Sequence, residues 1–241
     1  MGDRDTSLAV VLLSGGLDSC VCLAEALRDQ EAAVLHLNYG QRTQARELRA
    51  FHDIADHYGL ERRLVADLSH LDRIGGSSLT DPSLPVEEGL PLGDGVPSTY
   101  VPFRNAHILA MGVSWAEVIG ATSLYIGAVE EDGSGYPDCT VEFYAAFAAA
   151  VAAGTRPETQ LEIRTPLIRL DKAGIVARGR ELDAPLHLTW SCYVAEDRAC
   201  GVCESCALRL RGFDRAGVTD PIPYSSASGN VPGADPAAPG T

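Results

Sequence analysis

Six apolar residues, LAVVLL at 8–13, run directly into Ser14-Gly15-Gly16 and then into a helical repeat beginning at Leu17. An unbroken apolar run of strand length, stopped by glycines and followed by a helix, is the pattern of a strand buried on both faces at the start of a βα unit. The unit recurs. AAVLHLNY (32–39) reads as a second strand, and Ala45, Leu48, Phe51, Ala55 and Tyr58 recur at three and four, predicting a helix that stops at Gly59. A strand at 63–69, a helix over 104–119, a strand at 123–128, an Ala-rich helix over 140–153, a short strand at 161–164 and a helix over 171–182 continue the alternation. The class this predicts is α/β, a doubly wound and mostly parallel sheet covered by helices on both faces. Residues 70–102 hold much Gly, Pro, Ser and Asp with no sustained period, and are too long for a plain connection; they read as a substrate loop or a disordered insertion. From Asp220 onward Pro, Gly, Ala and Ser dominate, too little apolar surface to offset chain entropy. The chain therefore divides into a main α/β domain (1–188), a small cysteine-bearing appendage (189–219) and an expected disordered tail (220–241).

Charge narrows the partners. The 241 residues carry 19 basic and 33 acidic side chains, a net −14, with Lys172 the single lysine. A broadly acidic surface repels phosphate backbones, so no nucleic-acid partner is expected. No apolar run approaches the roughly 20 residues of a membrane span, and the N-terminus shows no signal pattern, so a soluble cytoplasmic protein is expected.

Ser14-Gly15-Gly16-Leu17-Asp18-Ser19 sits between strand and helix, where first-turn N–H groups and the helix dipole attract phosphate oxygens. The glycines admit close backbone approach and the serines add hydroxyl donors. Asp18 is the odd member, because a carboxylate repels phosphate; it reads as a helix cap or as an indirect holder of Mg²⁺. Neither G-x-x-x-x-G-K-[ST] nor G-x-G-x-x-G is present here. The six residues match SGGxDS, the loop of the N-type ATP pyrophosphatases, which split ATP into AMP and pyrophosphate.

Seven cysteines without an export signal call for something other than disulfides. Four of them, Cys192-x7-Cys200-x2-Cys203-x2-Cys206, have spacings that bring thiolates onto one tetrahedral ion. All four positions being filled by protein, the metal is structural; zinc is favoured over an iron–sulfur cluster because it needs no assembly machinery.

Together these motifs resemble the preQ0 (7-cyano-7-deazaguanine) synthase family of ATP pyrophosphatases, over roughly residues 8–215. LLSGGLDS, LNYGQR, VPFRN, SGYPDC, Pro166-Leu167 with Lys172, TWSCY and CGVCESCALRLRGF carry the resemblance in order. It implies an adenine nucleotide alpha hydrolase-like, Rossmann-like fold, with ATP, Mg²⁺ and Zn²⁺. It also implies conversion of 7-carboxy-7-deazaguanine and ammonia to the nitrile through an adenylated carboxylate and an amide, in a homodimer.

By position, the resemblance assigns Leu13, Ser14, Gly15, Gly16, Leu17, Asp18, Ser19, Cys20, Val21, Cys22 and Leu23 to ATP, joined by Tyr39, Gln41 and Arg42 at the end of the second strand. Ser14, Asp18, Lys172 and Arg104 are the expected catalytic residues, with Arg104 suited to a carboxylate or α-phosphate. Asn105, Tyr136, Asp138 and Trp190 are the expected substrate contacts. Asp138 reads equally as acceptor of a base N–H or as cap of the helix at 140, and Trp190 as a stacking platform or a core residue of the metal knot. Phe103 stands where the family usually carries Gly; Gly133, Thr140 and Thr43 also depart from its pattern. A thiolating enzyme would need a redox pair near the loop, and Cys20-x-Cys22 points to opposite helix faces. A zinc-knuckle binding module would need basic and aromatic surroundings, and Glu196, Asp197 and Glu204 dilute Arg198, Arg209 and Arg211.

Overall fold

Successive residues of a strand face opposite ways, and the first strand uses both faces. In the computed structural model, which describes residues 7–89, 95–130 and 135–225, Ala9, Val11 and Leu13 enter one apolar core and Val10 and Leu12 the other. The elements are β1 (Leu8–Leu12), α1 (Leu17–Ala26), β2 (Glu31–Asn38), α2 (Gln44–His57), β3 (Arg63–Asp67), α3 (His70–Ile74), α4 (Arg104–Ile119), β4 (Ser123–Ile126), α5 (Val141–Gly154), β5 (Glu162–Arg164), α6 (Lys172–Glu181) and α7 (Glu204–Arg215). The five strands are parallel in the order β3-β2-β1-β4-β5. Helices α1, α2 and α6 pack on one face with Phe213 of α7; α4 and Tyr144 of α5 cover the other. The winding reverses between β1 and β4, and in such sheets the crevice at that reversal, beyond the carboxyl ends of the strands, receives the ligand. Among the described residues no helix is long and apolar enough to cross a membrane.

Three departures from the expected organisation have clear causes. The 70–102 segment contains α3 and is then held as an ordered coil over its described part. Ser77, Ser78, Leu79, Thr99 and Val101 are buried, and Ser78 N donates to Ser98 O at 2.8 Å; residues 90–94 lie outside the described part. Residues 221–225, which composition places in the expected tail, are docked on the fold. Ala199 N donates to Pro223 O and Ser225 N to Ala199 O, both at 2.9 Å, and Ile222 is 5% exposed. One buried isoleucine and two backbone bonds give residues 221–225 a docking site that a count of Pro and Ser does not register. Residues 226–241 are outside the described part, as are residues 1–6, Gly133 and Ser134. Finally, Phe103 begins α4 in the left-handed region, with φ 57 and ψ 24. That conformation suits a glycine and strains any larger residue, which gives the family's usual Gly at this position its physical reason.

Candidate active site

The loop after β1 is shaped by close approach. Gly15 has φ +92, and a Cβ there would stand 2.6 Å from the Glu47 carbonyl oxygen of α2. Gly16 caps α1 without any side-chain hydrogen bond, leaving first-turn N–H groups for an anion. The serines brace the turn: Ser14 Oγ accepts from Gly16 N at 3.2 Å and donates to Ser19 Oγ at 3.1 Å, while Ser19 Oγ donates to Gly16 O at 3.0 Å. Across the crevice, Gly127 at the end of β4 lets the sheet approach the helix start, since a Cβ there would meet the Asp18 carbonyl group at 2.8 Å.

A cleft of about 300 Å³ opens from this loop across the sheet's carboxyl edge. Asp18 lines it and takes an ion pair from Lys172 Nζ at 2.7 Å. Its other oxygen, Oδ1, is buried without a hydrogen-bond partner. At the far end Arg104 donates to the Tyr39 hydroxyl at 2.9 Å and lies 5.2 Å over that ring. Burial works against the Arg104 charge, but Tyr39, Tyr136, Tyr193 and Cys139 outweigh it and hold the guanidinium firmly protonated. Arg104 makes no ion pair among the described residues. Tyr136 shares a 2.7 Å hydrogen bond with Thr99, whose hydroxyl donates to Glu204 Oε2 at 3.1 Å. Burial raises the Glu204 carboxyl above its ordinary range. It also pushes the Cys139 thiol up to about 11, which disfavours a thiolate nucleophile there.

Of the expected residues, Ser14, Gly16, Leu17, Asp18, Ser19, Tyr39, Arg104, Asn105, Tyr136, Lys172 and Trp190 line this single cleft. Others do different work. Leu13, Cys20, Val21, Cys22 and Leu23 have no exposed surface and build the core beneath the loop. Gln41 is buried, accepting from Tyr39 N at 2.8 Å and donating to Glu47 at 3.3 Å, so it supports the wall from behind. Arg42 turns away, donating to the carbonyls of Ser78 at 2.7 Å and Asp81 at 2.9 Å and also to Leu84. Asp138 accepts from Asn105 N at 2.9 Å and thereby caps α4; α5 is capped by Thr140, which accepts from Phe143 N. Asp138 therefore caps α4, across the fold, and not the helix at 140. Asp18 does not cap α1 either.

Trp190 lines the cleft and also packs into the cysteine knot. It is 2% exposed, clusters with Cys192, Cys203 and Cys206, donates through Nε1 to Ala195 O at 3.1 Å, and carries the Arg46 guanidinium 4.4 Å over its ring. Residues that local pattern did not single out also line the cleft: Glu47, Tyr193, Glu204 and Arg209. Glu47 stands one turn past Thr43 on α2, a spacing legible in the sequence; the other three carry no local signal.

The four sulfurs of Cys192, Cys200, Cys203 and Cys206 lie within 4.8 Å of one another. Hydrogen bonds from the Cys203 and Cys206 thiols, helped by the Cys200 and Val194 N–H groups, hold the Cys192 sulfur well below the usual thiol range. A compact set of four sulfurs with an anion-stabilising backbone suits a tetrahedral metal. The knot is also tied to the loop: Trp190 N donates to Gly15 O at 2.9 Å, and the Thr43 hydroxyl lies 3.2 Å from Cys192 O.

A parallel sheet wound from both sides of β1, a Ser/Gly anion loop at its switch point and a four-cysteine knot braced on that loop define a nucleotide-binding enzyme of the doubly wound α/β class. The family model described as Queuosine biosynthesis protein QueC matches residues 8–217, and the chain belongs to that family. It is 58% identical to a 7-cyano-7-deazaguanine synthase of Chlorobaculum parvum over 217 residues, 90% of this chain and 96% of the relative. Enzymes of the same name from Chlorobaculum tepidum and Chloroherpeton thalassium are 57% and 56% identical over the same shares. A solved structure titled as a predicted subunit of tRNA methyltransferase from Methanocaldococcus jannaschii aligns at TM-score 0.44 and 11% identity, over 73% of this chain and 75% of that one.

Proposed function

We propose that this enzyme makes 7-cyano-7-deazaguanine from 7-carboxy-7-deazaguanine, ammonia and ATP, for queuosine or another 7-deazapurine. The observation that carries the reading is one cleft running from the Ser14–Ser19 loop to Arg104, a half-buried guanidinium with no ion pair among the described residues. The loop takes the phosphates, and Arg104 takes the substrate carboxylate by a two-pronged hydrogen bond. Carboxylate oxygen attacks the α-phosphorus, pyrophosphate leaves, and the oxygen is thereby made a good leaving group. Ammonia displaces AMP to give the amide; a second ATP activates the amide oxygen, and its loss as AMP leaves the nitrile. Lys172 sits to balance negative charge growing on the phosphates, and its bond to Asp18 keeps it aimed into the cleft. Asn105, Tyr136 and Tyr193 shape the base pocket.

The unpartnered Asp18 Oδ1 would help to hold Mg²⁺, which when bound would supply charge neutralisation for the phosphates. The sulfur set supports Zn²⁺ as the structural ion. A cytoplasmic homodimer that uses no nucleic-acid partner completes the reading; light scattering and a nucleic-acid binding assay check it.

Mass spectrometry of a reaction with the acid, ammonium, Mg²⁺ and ATP tests the function directly. Nitrile with two AMP per product is expected. Amide accumulating without nitrile would limit the enzyme to the first activation, and absence of both would refute the reading. Lys172→Met is expected to lower kcat by about 10²–10³, the loss typical of one charge-stabilising group, with a much smaller change in ATP affinity by calorimetry.

A further inference from the structure

We propose that Glu47 is the group that takes a proton from ammonium to make the nitrogen nucleophile, with Thr43 as the hydrogen-bond partner that positions it. The inference rests on the ligase reading above and adds a residue to it.

The argument starts from proton counting at Thr43. Its Oγ lies 2.9 Å from Glu47 Oε1 and 3.2 Å from the Cys192 carbonyl oxygen. A hydroxyl carries one proton. With Glu47 as carboxylate, that proton can serve Glu47 or the carbonyl, not both. With Glu47 as carboxylic acid, Oε1 donates to Thr43 and Thr43 donates to Cys192, so every group is served. The two protonation states differ by a hydroxyl rotation, without movement of heavy atoms. On the other oxygen, Gln41 Nε2 donates to Oε2 at 3.3 Å, and Gln41 is itself fixed by Tyr39 N at 2.8 Å. The carboxyl is thus oriented whether or not it holds a proton.

Position supplies the rest. Glu47 lines the cleft beside the anion loop, and its own carbonyl forms the wall that demands Gly15. The charged and titratable groups facing it are Arg104 from α4 and Tyr39 from the end of β2. Burial raises its carboxyl above the ordinary range, against the hydrogen bonds from Thr43 and Gln41 and the charge of Arg104. A base works best when its affinity for a proton is close to that of its surroundings at the working pH.

The step balances. Ammonium gives one proton to the Glu47 carboxylate; the freed nitrogen lone pair forms the C–N bond to the adenylated carbon as the C–O bond to AMP breaks. AMP leaves with that electron pair and carries the second proton on its phosphate, and Glu47 returns its proton to solvent after product leaves.

Hydroxylamine separates proton transfer from everything else, because it is already uncharged at neutral pH and attacks adenylates without a base. Glu47→Gln is expected to lower amide formation from ammonium about 100-fold, as expected for loss of a general base, while pyrophosphate exchange and hydroxamate formation stay within about threefold of the unaltered enzyme. Equal loss of amide and hydroxamate would overturn the proposal and leave Glu47 a structural residue. Unchanged amide formation would overturn it as well. Thr43→Val, which leaves the acid in place, guards against a folding defect: about a tenfold loss of amide with hydroxamate retained is expected, and parallel loss of both contradicts the positioning role. Failure of the ligase reading itself would look different, since the unaltered enzyme would then show no acid-dependent exchange at all.

Discussion

Arg209→Leu is expected to lower the free energy of unfolding by about 3–5 kcal/mol, the cost of stranding one partner of a buried ion pair. The Arg209 and Asp220 side chains are 1% and 3% exposed and joined by Nε–Oδ2 at 2.7 Å and Nη2–Oδ1 at 3.0 Å. Arg209 also donates to Thr189 Oγ1 at 2.7 Å and to Ser191 Oγ at 3.2 Å. The substitution therefore leaves a buried carboxylate and removes donors from two hydroxyls. Against a total stability of about 5–15 kcal/mol for a domain, the loss is large. In thermal unfolding it corresponds to a fall on the order of 10 °C for a chain of this size. Arg215→Ala, on the exposed end of α7, is the control expected to change little. The double replacement Arg209→Leu with Asp220→Leu should recover much of the loss, because an apolar pair needs no compensation. If the single variant melts with the unaltered protein, the pair contributes nothing to stability.

Stripping the metal is expected to disable nucleotide binding although no cysteine of the knot belongs to the phosphate loop. The path is short: Cys192 is followed back two residues to Trp190, whose N–H holds the Gly15 carbonyl at 2.9 Å. Structural zinc sites contribute folding free energy directly, on the order of 10 kcal/mol in small modules, so chelation should release the knot and with it the loop's brace. Calorimetry before and after chelation should show at least about a tenfold loss in ATP affinity, equivalent to about 1.4 kcal/mol, restored by Zn²⁺. Undiminished ATP binding by fully demetallated protein would show that the loop holds its shape alone.

The anion loop and the metal set were legible because each is a short segment whose geometry follows from its own residues: glycines at a strand end, thiols at a two-residue gap. The sheet was legible for a related reason, since Val10 and Val11 must both be buried if the run 8–13 is apolar throughout. The base end of the cleft was not. Asp138 looks available in sequence because its partner, the Asn105 N–H, is distant along the chain. Arg209 sits in an LRLR run that resembles an ordinary amphipathic surface, and its partner Asp220 opens a stretch whose composition suggests no structure. Trp190 meets Arg46 and Ala195, on a helix and a loop that only the fold brings together. Glu204 follows a metal ligand, so its spacing already has an explanation before its contact with Thr99 gives it another.

The bond from Trp190 to Gly15 also sets a timetable for the chain as it is made. β1 and the glycine turn leave the ribosome first, but the residues that brace the turn follow only after the rest of the sheet has been synthesised. Long-range contacts of this kind are paid for late in folding. An unfinished chain thus holds its Ser/Gly loop without the Trp190 bond, and the brace forms only after every strand of the sheet has been made.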